Sequence, residues 1–253
     1  MPLTVRQFAC LSDNYGFLAR DEATGRTACI DTPDAAAILA ELKALGWGLD
    51  FILNTHWHED HAGGNAEVVA ATGAVVVGPA EVTRIAPLDR KVGGGDTVML
   101  GETRFDVIET GGHTLGHIAY HDAADAIAFV GDTLFALGCG RMFEGTADQM
   151  WTSLQRLAAL PDKTTVYCAH EYTAANARFA LSVDDDPALK ARAAQVFAAR
   201  ERGEPTVPTT IGAEKATNPF LRAPRLAERV GADGGPDYQA FGAVRAAKDN
   251  FKG

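Results

Sequence analysis

The chain has 253 residues, 47% hydrophobic and 22% charged, a balance that suits a globular protein and excludes a disordered one. Its 23 Lys and Arg against 33 Asp and Glu leave a net charge of −10, which argues against broad contact with nucleic acid. No stretch approaches the roughly 18 apolar residues that a membrane span needs.

The N-terminal MPLTVRQFAC lacks a basic region followed by a long apolar core, so no secretory signal is expected. Strands are predicted at 27–32, 50–54, 74–78, 96–100, 104–110, 126–132 and 164–170, all short, β-rich and bounded by Gly, Asp or Pro. Helical patterns occupy 34–46, 63–73 and 148–160. This order predicts an α/β chain, with sheets covered by helices rather than a simple βαβ ladder. After residue 172 the pattern becomes helical, at 174–183 and 186–203, with Asp186 as N-cap and Pro187 at the first helical position. Residues 203–210 read as an extended loop, and no strand is expected beyond 172. Two domains are therefore expected, 1–172 and a smaller helical 173–253. Cys10, Cys29, Cys139 and Cys168 lack C-x-x-C spacing and suit neither a disulfide framework nor a thiolate zinc site. A reduced, cytoplasmic setting is expected. Cys139 and Cys168 read as small buried apolar residues, with redox sensitivity as the alternative.

Within FILNTHWHEDHAGGN, residues 51–65, three histidines and two carboxylates fall between His56 and His61. A solvated polar loop is the plain explanation, and the spacing argues against it. Side chains at i and i+2 of an extended segment point the same way, so His56 and His58 can grip one ion. Asp60 and His61 follow at once and face a second ion if the chain turns there. Imidazole and carboxylate together suit zinc, iron or manganese.

Three further strand ends carry metal-capable side chains: His113 in TGGHTLGH, Asp132 in FVGDTLF and His170 in VYCAHEYT. Singly, each reads as a structural histidine or a turn aspartate. With the first motif they exceed the roughly four donors one zinc takes, and they suit two ions sharing a carboxylate. Asp132 is the candidate bridge, with His56, His58 and His113 on one ion and Asp60, His61 and His170 on the other. Such a centre stays net positive and can draw an anion even to an acidic protein. His117 and His121 are expected outside the ligand set, as supporting or surface residues.

THWHEDH, the histidine of GGHTLGH, the aspartate of GDTLF and the histidine of YCAHEYT together resemble the metallo-β-lactamase superfamily. DNYGFLARD, GCGRMFEGTADQMWTSL, HEYTAANARFAL, TNPFLR and VRAAKDNFK narrow the resemblance to glyoxalase II, the hydroxyacylglutathione hydrolases. It implies an αββα sandwich with a helical C-terminal domain. It also implies hydrolysis of S-D-lactoylglutathione to D-lactate and glutathione, the second step of methylglyoxal detoxification. Two divalent ions, zinc first with iron or manganese as alternatives, would supply hydroxide, and Asp60 would both bind metal and orient that hydroxide. The glutathione contacts implied are Arg141, Phe143, Tyr172, Arg245 and Lys248. Arg141 stands where lysine is common, and Phe143 where tyrosine is common, so one hydroxyl contact is missing. Without the resemblance, Arg245 and Lys248 would read as a solvated helix face. The partner expected is this small thioester alone, with the protein a monomer. The rivals are a single-iron glutathione persulfide dioxygenase of the same superfamily and a non-catalytic metal-binding protein.

Overall fold

The computed structural model describes residues 3–253, which fall into two compact units. The first runs up to Glu109 and includes Gly116–Gly131; the second comprises Thr110–Leu115 and Asp132–Gly253.

The first unit is built from β1 (Leu3–Cys10), β2 (Asn14–Asp21), β3 (Thr27–Ile30), α1 (Ala35–Leu45), β4 (Phe51–Leu53), the single turn α2 (Glu59–Ala62), α3 (Asn65–Thr72), β5 (Val75–Gly78), β6 (Arg90–Lys91), β7 (Thr97–Leu100), β8 (Thr103–Glu109), β9 (Ile118–Asp122) and β10 (Ile127–Gly131). Strands β1 to β6 lie in chain order in one sheet, antiparallel from β1 to β3 and parallel from β3 to β6. Strands β7 to β10 form antiparallel neighbours in the other. The sheets meet through Phe17 and Phe129, ring centroids 5.8 Å apart, and through Tyr120, whose hydroxyl donates to the Asn54 carbonyl at 2.8 Å. Helix α1 forms because Asp34 caps it, accepting from the Ala37 N–H at 3.0 Å, and Gly46 ends it at φ +66°. Its Ala35, Ile38 and Leu42 share one face and join Ile52, Val68 and Val76 in a buried cluster.

The second unit holds β11 (Leu134–Phe135), β12 (Gly138–Cys139), α4 (Ala147–Ala158), β13 (Thr165–Cys168), α5 (Thr173–Val183), α6 (Pro187–Glu201), β14 (Thr209–Thr210), α7 (Ile211–Thr217), α8 (Ala223–Leu226) and α9 (Asp237–Asp249). A reciprocal capping box of Thr146 and Gln149 opens α4, and Asp186 caps α6 with Pro187 next to it. Within its core Phe179 stacks on Phe220 at 5.8 Å, and Phe220 meets Phe241 edge-on at 6.2 Å.

Every predicted strand and helix is present, and the structure adds others. β14 pairs with β13 beyond residue 172, where no strand was expected; two residues are too few to leave a periodic signal. β1, β2 and β9 were also not predicted: β1 is a half-exposed edge strand, while β9 ends in the buried polar pair His121 and Asp122. Among the described residues no helix is long and apolar enough to cross a membrane.

Candidate metal centre

Four of the seven predicted donors lie in the first unit. β3 and β4 run parallel, with Ile30 opposite Leu53, so Asp31 and the segment from Asn54 to His56 emerge at the same end. His58 is extended and caps α2, whose turn carries Asp60 and His61. The chain thus does turn at Asp60 and His61, the condition set for a second ion. His56 and His61 are buried, with ring centroids 4.0 Å apart, and His56 Nε2 lies 3.1 Å from His58 Nδ1. Asp60 Oδ2 stands 3.6 Å from His61 Nε2 and accepts from the Asn14 side-chain amide at 3.1 Å.

Asp31 organises this set, and the sequence reading gave it no role. Its carboxylate accepts from His61 Nδ1 at 2.8 Å, the Thr55 hydroxyl at 2.8 Å and the Thr55 N–H at 2.7 Å. Having given its proton to Asp31, the Thr55 hydroxyl accepts from His56 Nδ1 at 3.0 Å. Both rings therefore carry their proton on Nδ1 and present an Nε2 lone pair. The available signal was an aspartate closing a short apolar run; in the structure it is held at φ +58°. Asp31→Asn is expected to weaken metal binding about 10- to 100-fold while leaving the circular dichroism spectrum unchanged. Competition with a chromophoric chelator measures this, and an unchanged affinity would remove Asp31 from the support of the centre.

The other three donors lie in the second unit, around one carboxylate. Asp132 Oδ2 is 3.4 Å from His113 Nε2, and Asp132 Oδ1 is 3.4 Å from His170 Nε2. His113 Nδ1 donates to the Arg141 carbonyl at 2.7 Å, so its Nε2 also presents a lone pair toward the carboxylate. Lone pairs facing lone pairs repel unless a cation sits between them, so the donor set in each unit fits divalent metal. Before Asp132, Gly131 holds φ +48°, and a Cβ there would press on the Thr55 hydroxyl and His117. His117 is buried and stacks on His56 at 4.7 Å; His121 is buried in β9, and burial pushes its pKa down. Neither is a surface residue.

The predicted substrate contacts line one cavity of about 460 Å³ in the second unit, together with His113 and Asp132. Arg245 is buried rather than solvated: its guanidinium donates to the Cys139 carbonyl at 3.0 Å and to Asp249 at 2.8 Å, and stacks over Phe220. Lys248 is half buried, and burial followed by the neighbouring charges of Arg245 and Arg178 pushes its pKa below the ordinary lysine range. Arg141 is exposed, 3.7 Å from Asp249. Phe143, exposed and without a hydroxyl, sets its edge against His113 at 5.3 Å. Tyr172 stacks on His170 at 4.6 Å, nearly parallel. All four cysteines are free and buried; burial pushes the pKa of the Cys139 thiol up to about 11 and that of the Cys168 thiol up to about 12.

Comparison with known proteins places this geometry in a family. Residues 24–170 match the metallo-β-lactamase superfamily model, and residues 171–251 match the model of the hydroxyacylglutathione hydrolase C-terminus. A hydroxyacylglutathione hydrolase from Erythrobacter litoralis is 57% identical over 98% of this chain and 100% of its own. Among solved structures, ETHE1 from Myxococcus xanthus is 28% identical with a TM-score of 0.68, covering 96% of this chain and 97% of that one. TTHA1623, solved in a di-iron-bound form, is 26% identical with a TM-score of 0.63, covering 86% of this chain and 100% of its own. The chain belongs to the metallo-β-lactamase superfamily and, within it, to the hydroxyacylglutathione hydrolases.

Proposed function

We propose that this chain hydrolyses S-D-lactoylglutathione to D-lactate and glutathione with two divalent ions, zinc in the first place and iron or manganese as alternatives. His56, His58 and His113 are assigned to one ion, Asp60, His61 and His170 to the other, and Asp132 to both. Residues 1–172 form the catalytic part, and 173–253 contribute to holding glutathione. The protein acts as a cytoplasmic monomer. The observation that carries the reading is the cavity lined by His113 and Asp132 together with Arg141, Arg245 and Lys248. It sets metal-capable donors beside a cluster of cations on a protein of net charge −10.

When bound, the ions supply hydroxide from water near neutral pH and positive charge for the carbonyl oxygen. Asp60 orients the attacking oxygen. Arg141 offers a planar fork for a carboxylate of glutathione and Lys248 a point charge, while Arg245, whose fork is taken by the Cys139 carbonyl and Asp249, adds buried positive charge behind them. The departing thiolate needs no proton donor from the chain, since a thiol pKa lies near about 8.5. The match to the hydrolase C-terminal model over 171–251 favours hydrolysis over persulfide oxidation.

The purified protein is expected to consume S-D-lactoylglutathione and release free thiol. Oxygen uptake with glutathione persulfide, and no thiol release, would move it to the dioxygenase reading. Lys248 also gives the reaction a pH signature. It holds an anion only while protonated, so raising the pH through its depressed pKa removes the charge and KM rises, at a lower pH than an ordinary lysine would dictate. Profiles of KM against pH for the native protein and Lys248→Ala check this; a rise of the same shape in the variant would assign it elsewhere.

A further inference from the structure

Strands β11 and β12 turn through Ala136 and Leu137, with Leu137 at φ +58°. A hairpin tip ordinarily gives its polar backbone groups to water. Here Leu134, Phe135, Ala136, Leu137 and Cys139 are all buried, so those groups need partners within the protein. Side chains from the helical segment provide them. The Asn218 amide lies within donating reach of the Phe135 carbonyl at 3.1 Å and the Gly138 carbonyl at 2.9 Å. Asn176 of α5 donates to the Ala136 carbonyl at 3.1 Å. Glu214 of α7, fully buried, accepts from the Leu137 N–H at 2.8 Å and lies 2.9 Å from the Asn218 amide nitrogen, whose two hydrogens are shared among Glu214 and the two carbonyls. Its other oxygen accepts from the Thr209 hydroxyl at 2.6 Å and pairs with Arg192.

What this hairpin carries gives the network its consequence. Asp132 lies two residues before β11, and Arg141 two residues after β12. A Cβ on Gly140 would collide with the Asp132 carbonyl and approach His113 Nδ1 to 3.1 Å, so the two flanks of the hairpin are packed together around the donors. Phe135 sets its edge against His170 at 5.8 Å and Tyr172 at 5.5 Å. Movement of the tip therefore moves a donor carboxylate, the ring beside His170 and a substrate cation at once.

We propose that Asn218 and Glu214 are positioning residues that act through the β11–β12 hairpin to set metal affinity and substrate affinity together. The substrate half rests on the function proposed above; the metal half stands without it. The test uses zinc and S-D-lactoylglutathione on native protein, Asn218→Leu, Asn176→Ala and a stability control, Ile38→Val, in the first unit. Asn218→Leu is expected to weaken zinc binding about 10- to 100-fold, as loss of a group supporting a metal ligand does, and to raise KM several-fold. Asn176→Ala shifts both in the same direction by less, and Ile38→Val lowers Tm with zinc affinity and KM unchanged. Native zinc affinity and KM in a folded Asn218→Leu would overturn the proposal. Should that variant fail to fold, native values in Asn176→Ala overturn it equally. If native protein binds zinc but leaves the thioester intact, the proposed function falls and the zinc measurements still decide the positioning role.

Discussion

Asp132→Ala is expected to lose both ions on dialysis and to lower kcat/KM by about a thousandfold or more, since metal-made hydroxide has no substitute among the side chains. The size follows from geometry. One carboxylate turns its two oxygens to two different imidazoles, each at 3.4 Å. Removing it takes away a negative charge and a donor from each side, leaving two imidazoles whose Nε2 atoms no longer share a partner. The surrounding backbone gives little compensation, because Gly140 and Gly131 hold this stretch in one packed conformation. Metal content per chain and turnover, read on the same sample, check the expectation. Two retained ions with a native rate would end the assignment of Asp132 to both ions.

Arg245→Ala is expected to raise KM about thirtyfold with a smaller change in kcat, from about 2 kcal/mol for truncating a buried, hydrogen-bonded charge. Arg245 is only 4% exposed, so its field is little screened by water. Arg141, whose side chain is 65% exposed, is expected to cost less than about 1 kcal/mol on the same truncation. Arg245→Lys restores charge but not the fork that reaches both the Cys139 carbonyl and Asp249, so its rescue is partial. Steady-state kinetics of the three variants order them. Equal effects at Arg141 and Arg245 would contradict the role given to burial.

The candidate donors stood out in the sequence because they follow short apolar runs closed by Gly, Asp or His, His56 to His61 in one cluster and His113, Asp132 and His170 singly. Asp31 stood in the same kind of place, after Ile30 in TACIDT, yet its role needs β3 beside β4 in parallel register, and its partner Thr55 is 24 residues on. Arg245 and Lys248 looked like a solvated helix face because their i, i+3 spacing says nothing of what packs on it. The family resemblance, not periodicity, singled them out. Asn218 was visible only as part of TNPFLR; its contacts with Phe135 and Gly138 span 83 and 80 residues, beyond the reach of any local pattern. His121 and Asp122 show the converse limit, since a polar pair at the end of a strand reads as surface and here is buried.

Hydrolysis by a two-ion centre is tested by counting metal per chain while following S-D-lactoylglutathione, before and after chelation. About two ions per chain, with turnover that falls as they are removed and returns when zinc is restored, is the expected result. One iron per chain, no thioester hydrolysis and oxygen uptake with glutathione persulfide would contradict it, and would take from Asp60, His61 and His170 the roles assigned to them.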